Sequence, residues 1–240
     1  MHSTRQRLLL SALLFAAISG FFVARFPVRP ELAVVSAIFV LIFAAPSFLG
    51  VCRWLGWKRG VLALTALGLY AMVLETVAVK TGVPYGRFSY GPKIGTILFD
   101  AVPWTVPFSW TPLLLWAWWL GRGRIWAAGL LLVLADLTLD PGAVAQGFWR
   151  YAAGGVYYDV PITNFLGWIF SGTLGAAIAS GLVSSPGREV VTVDTLPVSG
   201  LLSLAFWTSV TFFMGLWIPA LVGASLLITS LYLLLWPKKS

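Results

Sequence analysis

Apolar stretches separated by short polar segments run the length of the chain. Six of them occupy residues 8–23, 31–50, 60–79, 104–120, 125–141 and 163–183. A last apolar region, 198–236, is about twice the ~20 residues that cross a bilayer, and Gly215 and Pro219 predict a tight turn within it. The pattern predicts an all-α fold, a polytopic transmembrane helical bundle of about eight spans, with seven also possible. We expect a single integral-membrane domain over residues 1–240.

The first apolar stretch has two interpretations. Arg5 and Arg7 precede it and its second half contains small residues such as Ala16 and Gly20, which is a pattern typical of a signal peptide. Because every later segment is also membrane-embedded, a first transmembrane helix is the favoured interpretation.

Composition strengthens the membrane assignment. The chain is 59% hydrophobic and 10% charged, with a mean hydropathy of +0.90, whereas a soluble domain carries roughly 25% charged residues. The net charge of +8 is spread over short clusters between apolar runs and forms no basic stripe. Nucleic acid is therefore not an expected partner, and we expect a multi-pass protein of the cell membrane.

The distribution of basic residues predicts the orientation. Ten lie in one set of alternate loops: Arg5, Arg7, Arg53, Lys58, Arg59, Arg122, Arg124, Arg188, Lys238 and Lys239. Six lie in the other: Arg25, Arg29, Lys80, Arg87, Lys93 and Arg150. The richer side is predicted to be cytoplasmic, with both termini inside. Two polar loops, 80–102 and 142–161, then meet on the outer side.

Few residue types are present for redox or metal chemistry. Cys52 is the only cysteine and His2 the only histidine, which excludes a disulfide framework and a histidine-rich di-iron site. The sequence contains neither a P-loop nor a Gly-rich dinucleotide loop. We expect no cofactor and no metal.

Three carboxyl groups are the strongest candidates for catalysis. Glu75 lies near the outer end of the third span, and Asp136 and Asp140, four residues apart, share one face of the fifth. A charge at mid-membrane costs at least ~2.5 kcal/mol, so intramembrane carboxyls are functional candidates. A buried carboxyl that keeps its proton can act as a general acid. The alternative is that they pair with basic residues and brace the bundle; the partners would be Lys80, Arg87 or Arg150.

Aromatic and polar side chains of the two loops are candidates for substrate binding. Aromatic faces stabilise cations and can line a slot for a polyene, although most tryptophans in such a chain are core or interface residues. Asn164 has an alternative role as a helix N-cap. The candidates are Tyr85, Arg87, Tyr90, Trp110, Trp149, Tyr157, Tyr158, Asn164 and Trp168.

Two clusters of uncommon residues lie in the middle of the chain. Residues 75–90 read ETVAVKTGVPYGRFSY, followed by Val102-Pro103 and Trp110. A second signature combines Asp136-x-x-x-Asp140-Pro141 with GFW at 147–149, GVYY at 155–158, Val160-Pro161 and NFxGW at 164–168. Together these residues resemble the signatures of the CruF-type carotenoid hydratases. At Asp159 the family pattern has Gly; the added carboxylate either alters the end group accepted or is tolerated.

This resemblance implies an enzyme that adds water, without a cofactor, to the 1,2 (or 1′,2′) double bond of an acyclic carotenoid end group. Lycopene, γ-carotene and C50 polyenes are substrates of the family. The expected partner is thus a carotenoid within the bilayer, and other carotenoid-biosynthesis enzymes are conceivable partners. Asp140 or Glu75 would donate the proton, with Asp136 as its partner.

Two other classes stay open. The Asp136–Asp140 pair resembles half of the Asp-rich motifs by which membrane prenyltransferases bind Mg²⁺ and diphosphate, but no second Asp-rich loop accompanies it. A non-catalytic carotenoid-binding protein would need the same apolar slot.

Overall fold

The computed structural model describes residues 2–26, 28–183 and 193–236. Within them, eight α-helices are connected by loops that carry four short strands. The helices are α1 (His2–Arg25), α2 (Ala33–Leu55), α3 (Trp57–Thr81), α4 (Val106–Leu120), α5 (Ile125–Ala145), α6 (Ile162–Val183), α7 (Val198–Phe213) and α8 (Trp217–Leu235). A 3₁₀ turn, Pro30–Leu32, precedes α2, and the strands are β1 (Phe88–Tyr90), β2 (Ile97–Leu98), β3 (Val102–Pro103) and β4 (Trp149–Tyr151).

The prediction of an all-α membrane bundle is confirmed. Six of the described helices are long and apolar enough to cross a membrane. The other two, α4 and α7, have 15 and 16 residues and therefore reach only about 23–24 Å of a hydrocarbon core of about 30 Å. Helix α4 packs against α2, α3, α5, α6 and α7 and is buried along most of its length. Its uniformly apolar sequence suits this central position.

The start of α1 lies close to the segment that precedes α7, two regions that the sequence analysis assigned to the same side of the membrane. Helix α1 packs along α7, and Arg5 forms an ion pair of 2.7 Å with Asp194, just before α7 begins. The last apolar region divides as predicted, at Gly215, whose φ is +76°. Three residues counted on the inner side lie outside the described part of the chain: Arg188, Lys238 and Lys239.

Helix α5 continues past Pro141, where the sequence pattern had predicted its end. Proline has no N–H, so the carbonyl four residues earlier, on Leu137, loses its helical partner. The Tyr157 hydroxyl donates to that carbonyl oxygen at 3.0 Å. Burial, with smaller effects of Tyr158 and Asp136, raises the pKa of Tyr157 to about 12, so its hydroxyl remains a donor. The second polar loop thus supplies the bond that allows α5 to continue.

We predict that Tyr157→Phe lowers stability by about 1–3 kcal/mol, because the carbonyl of the half-buried Leu137 is left without a donor. Denaturant unfolding in detergent micelles measures this, with Tyr158→Phe as a control expected to stay within about 0.5 kcal/mol of the parent protein. Unchanged stability together with lost substrate binding would instead support the role predicted for Tyr157 from the sequence.

The two polar loops are joined by backbone pairing. Strand β1, from the first loop, runs antiparallel to β4, from the second, with Phe88 opposite Tyr151 and Tyr90 opposite Trp149. Because side chains alternate along a strand, these four aromatic residues lie on one face of the ribbon. Ser89 and Arg150, paired between them, are exposed on the other. The loops therefore form one unit over the ends of α3 and α5.

Candidate active site

A cavity of about 590 Å³ lies beneath the two loops, within the range of small-molecule sites. Polar side chains line one end: Glu75, Tyr90, Asp140, Tyr151 and Asn164. Most of the remaining wall is aliphatic or aromatic and comes from α1, α2, α4, α6 and α7. The cavity thus combines a small polar end with a long apolar extension.

Glu75 forms one side of the polar end. Its side chain lies on α3 and is 4% exposed. The chain leaves α3 at Gly82, turns, and returns as β1, which brings the Tyr90 hydroxyl to 2.9 Å from Glu75 Oε2. Burial, the largest cause, raises the pKa of Tyr90 well above its usual range. The hydroxyl therefore donates to Glu75 throughout the neutral pH range.

Asp136, Asp140 and Asn164 form a buried cluster on the other side. Asn164, at the start of α6, donates from Nδ2 to Oδ2 of both aspartates, at 2.6 Å to Asp136 and 2.7 Å to Asp140. The Tyr151 hydroxyl donates to the same Asp140 oxygen at 2.6 Å. Burial, followed by the charge of Asp140, raises the pKa of Tyr151 far above its usual range. Asp136 Oδ1 is buried and has no hydrogen-bond partner among the described residues.

The bracing alternative for these acids does not match the described structure. None of the three carboxyls forms an ion pair there with Lys80, Arg87 or Arg150. Neutral hydroxyl and amide donors are their hydrogen-bond partners instead. The acids are therefore buried in the membrane part of the bundle without a compensating cation in the described residues.

Aromatic rings form the wall next to the acids. Trp110 of α4 stacks on Trp168 of α6 with ring centroids 6.1 Å apart and planes 16° apart. Tyr85 packs against Trp168 at 5.7 Å and donates its hydroxyl to Ser171 Oγ at 2.9 Å. Burial raises the pKa of Tyr85 well above its usual range, so this hydroxyl also remains a donor. All three rings line the cavity.

A glycine allows the first loop to approach α6 this closely. A Cβ at position 167 would lie 2.5 Å from Tyr85 Cδ1 and 2.8 Å from the Pro84 oxygen. The glycine in the NFxGW motif therefore has a packing role, which is to seat the Tyr85 ring beside the cavity.

Eight of the twelve site residues predicted from the sequence line the cavity: Glu75, Tyr85, Tyr90, Trp110, Asp140, Trp149, Asn164 and Trp168. The other four do not. Asp136 lies behind Asn164, and Tyr157 supports Leu137. Arg87 is exposed, and Tyr158 packs edge-on against Tyr157.

A left-handed turn accounts for Tyr158 and Asp159. Their φ angles are +52° and +65°, and Tyr157 pairs with Val160 across them. Glycine and aspartate both tolerate this conformation. Asp159 is exposed and does not line the cavity, so the departure from the family pattern is explained by the turn.

The sequence prediction missed Tyr151 and Phe88, which line the cavity. The signal that could have found Tyr151 was strand alternation, because it lies two residues after Trp149 and so faces the same way. Phe88 stands in the same relation to Tyr90.

Fold and site together define a multi-pass helical membrane protein with a buried carboxyl cluster at the end of an apolar cavity. The chain belongs to the family described as carotenoid biosynthesis proteins, whose model matches residues 32–230. It is 37% identical over 189 residues to a bisanhydrobacterioruberin hydratase of Haloarcula japonica; the match covers 72% of this chain and 64% of that relative. The chain thus spans slightly less than two thirds of that relative's length. No solved structure matches it.

Proposed function

We propose that the protein is a carotenoid hydratase that adds water to the 1,2 (or 1′,2′) double bond of an acyclic end group and forms a tertiary alcohol. The observation that carries this proposal is the presence of two separately hydrogen-bonded carboxyls, Glu75 and Asp140, at one end of an apolar cavity. Membership of the carotenoid family and similarity to a named hydratase support the substrate and the reaction class.

The reaction needs a proton donor, a site for a cation, and a base for water. Protonation at C2 of the trisubstituted alkene forms a C–H bond and leaves a tertiary cation at C1. Water then forms the C1–O bond and loses one proton. The sum is one alkene and one water giving one alcohol, so no oxidant or cofactor takes part.

We assign the proton donor as Glu75. Hydrogen bonds to a carboxylate stabilise its charged form, and Glu75 accepts one described side-chain hydrogen bond, from Tyr90. Asp140 accepts two at the same oxygen, from Tyr151 and Asn164. In a buried, apolar setting the carboxyl group that accepts fewer hydrogen bonds is the one that keeps its proton. Glu75 therefore protonates C2, and Asp140 is the carboxylate.

Asp140 then acts on water. As a carboxylate at the cavity wall it attracts the cation and accepts the proton that water loses as the C1–O bond forms. Asp136 shares the Asn164 amide with it, and two adjacent buried carboxyls do not both carry charge. Asp136 stays protonated and fixes Asn164, which makes it a positioning residue. Proton transfer from Asp140 back to Glu75 through cavity water completes the cycle.

The aromatic wall supports the cation and the polyene. The faces of Trp110, Trp168 and Tyr85 lie beside the polar end, and an aromatic face attracts a cation, with a benefit of about 2 kcal/mol or more when water is excluded. Their flat surfaces also suit a conjugated chain.

Expression in a host that accumulates an acyclic-ended carotenoid tests the function. We expect the pigment to gain the mass of one water per hydrated end, equally with and without oxygen and after EDTA treatment of membranes. Loss of conversion with EDTA, together with a need for a prenyl diphosphate, would indicate a prenyltransferase. Pigment that co-purifies with unchanged mass would indicate a binding protein.

We also propose that both termini face the cytoplasm, on the ten-to-six distribution of basic residues.

A further inference from the structure

We infer that the apolar extension of the cavity is a groove that opens sideways into the bilayer between α1 and α2, holds the polyene chain, and leaves the far end of the substrate in lipid. This inference rests on the proposed function and adds how the substrate is held: the protein recognises one acyclic end group, and the other end of the isoprenoid remains in lipid whatever group it carries.

The helix packing produces the groove. Helix α1 packs along α7, and α2 packs on α3, α4 and α7, so α7 forms a floor between α1 and α2. Ser203, Phe206 and Trp207 of α7 line this floor. Phe15 of α1 stacks on Phe39 of α2 across the groove, with centroids 5.8 Å apart and planes 7° apart. The two helices thus contact through side chains and leave space between their backbones.

The sides of the groove face both the cavity and the lipid. Phe22 on α1 and Val35 on α2 line the cavity, yet are 54% and 46% exposed. Phe26 and Leu32, at the outer ends of the two walls, are 66% and 48% exposed. Side chains that line a cavity and remain half exposed mark an opening. The opening is apolar, so a hydrocarbon chain passes through it without losing hydrogen bonds.

The dimensions agree with partial enclosure. About 590 Å³ is the size of a site for a drug-sized molecule, and the exposed lining residues of α1 and α2 leave the cavity open, so a C40 or C50 polyene does not have to fit entirely within it. The carboxyls contact one end group of the polyene, and no part of the groove contacts the other end group. A polyene with two acyclic ends is therefore hydrated at one end, released, and hydrated at the other.

Two small residues on the walls allow the groove to be filled. Ser19 on α1 and Ser36 on α2 both line the cavity. Leu14 on α1 and Val34 on α2 are 61% and 69% exposed and lie outside the cavity lining. Ser36→Trp and Ser19→Trp therefore add bulk inside the groove, while Val34→Trp and Leu14→Trp add it on the lipid side of the same helices.

The assay compares a C40 polyene with a short isoprenoid of the same acyclic end, in nanodiscs. We expect each groove variant to lower C40 conversion at least about tenfold relative to its control, because the added ring occupies the space that the polyene chain needs. Conversion of the short substrate should change by less than about threefold, since a small ligand needs only the polar end. Equal C40 conversion by variant and control overturns the groove, and so does an equal loss for both substrates in variants that remain folded.

The unmodified protein gives a second readout that does not depend on the folding of variants. Two polyenes with the same acyclic end, one with a cyclised far end, should be converted at rates within about threefold of each other, because only the bound end meets polar groups. A preference of tenfold or more overturns the open groove. If no polyene is converted, the proposed function fails, and co-purifying pigment then tests the groove separately. Pigment lost from Ser36→Trp but retained by Val34→Trp supports the groove, and equal retention by both variants overturns it.

Discussion

Glu75→Gln is expected to lower carotenoid hydration by about 10²- to 10⁴-fold, the usual contribution of a general acid. Glutamine keeps the size of the side chain and a carbonyl oxygen that accepts from Tyr90, which lies 2.9 Å from Glu75. It has no proton to transfer to C2. Product formation is measured from pigment mass in membranes with matched protein levels, and pigment retained on the purified variant reports binding.

The matched control is Glu31→Gln, an exposed glutamate in the turn before α2. We expect unchanged conversion for this variant. Conversion by Glu75→Gln at the rate of the control would show that the proton comes from elsewhere.

Asp140→Asn is expected to cause a loss of the same size, for a different reason. The amide keeps an oxygen for Tyr151 and Asn164, both within 2.7 Å of Asp140, but it cannot accept a proton from water. The donor Glu75 is still present, so the cation forms and returns to alkene. Asp136→Asn serves as the comparison variant. We expect it to lower carotenoid hydration by only about tenfold, because Asp136 acts through its contact with Asn164 and does not itself accept the proton.

Deuterium distinguishes the two roles. In D₂O, Asp140→Asn should return some alkene with deuterium in the end group. Glu75 adds a deuteron at C2, water does not capture the cation, and loss of the original C2 hydrogen in place of that deuteron leaves the label in the alkene. Glu75→Gln should return unlabelled alkene. The opposite pattern would exchange the assignments, making Asp140 the donor and Glu75 the base.

Local features of the chain were sufficient to predict the class of fold and the position of the acids. The length of an apolar run determines whether a segment can span the bilayer, and the eight helices of the described residues lie close to the predicted segments. A carboxyl within such a run indicates a functional role, because a charged side chain in the bilayer costs free energy. Glu75, Asp136 and Asp140 could be selected for this reason. The end of α5 was predicted too early, because the bond between Tyr157 and Leu137 joins residues of different elements.

Only the tertiary structure decided which of these groups meet and what surrounds them. Pairing of β1 with β4 brought the Tyr151 hydroxyl into hydrogen-bond contact with Asp140 and left Arg87 exposed on the surface. The amide of Asn164 donates to both aspartates, of which Asp140 lines the cavity and Asp136 does not. The groove between α1 and α2 arose from how both pack on α7. Run length and the cost of charge are properties of a local segment, whereas these contacts depend on where segments distant in the chain come to lie.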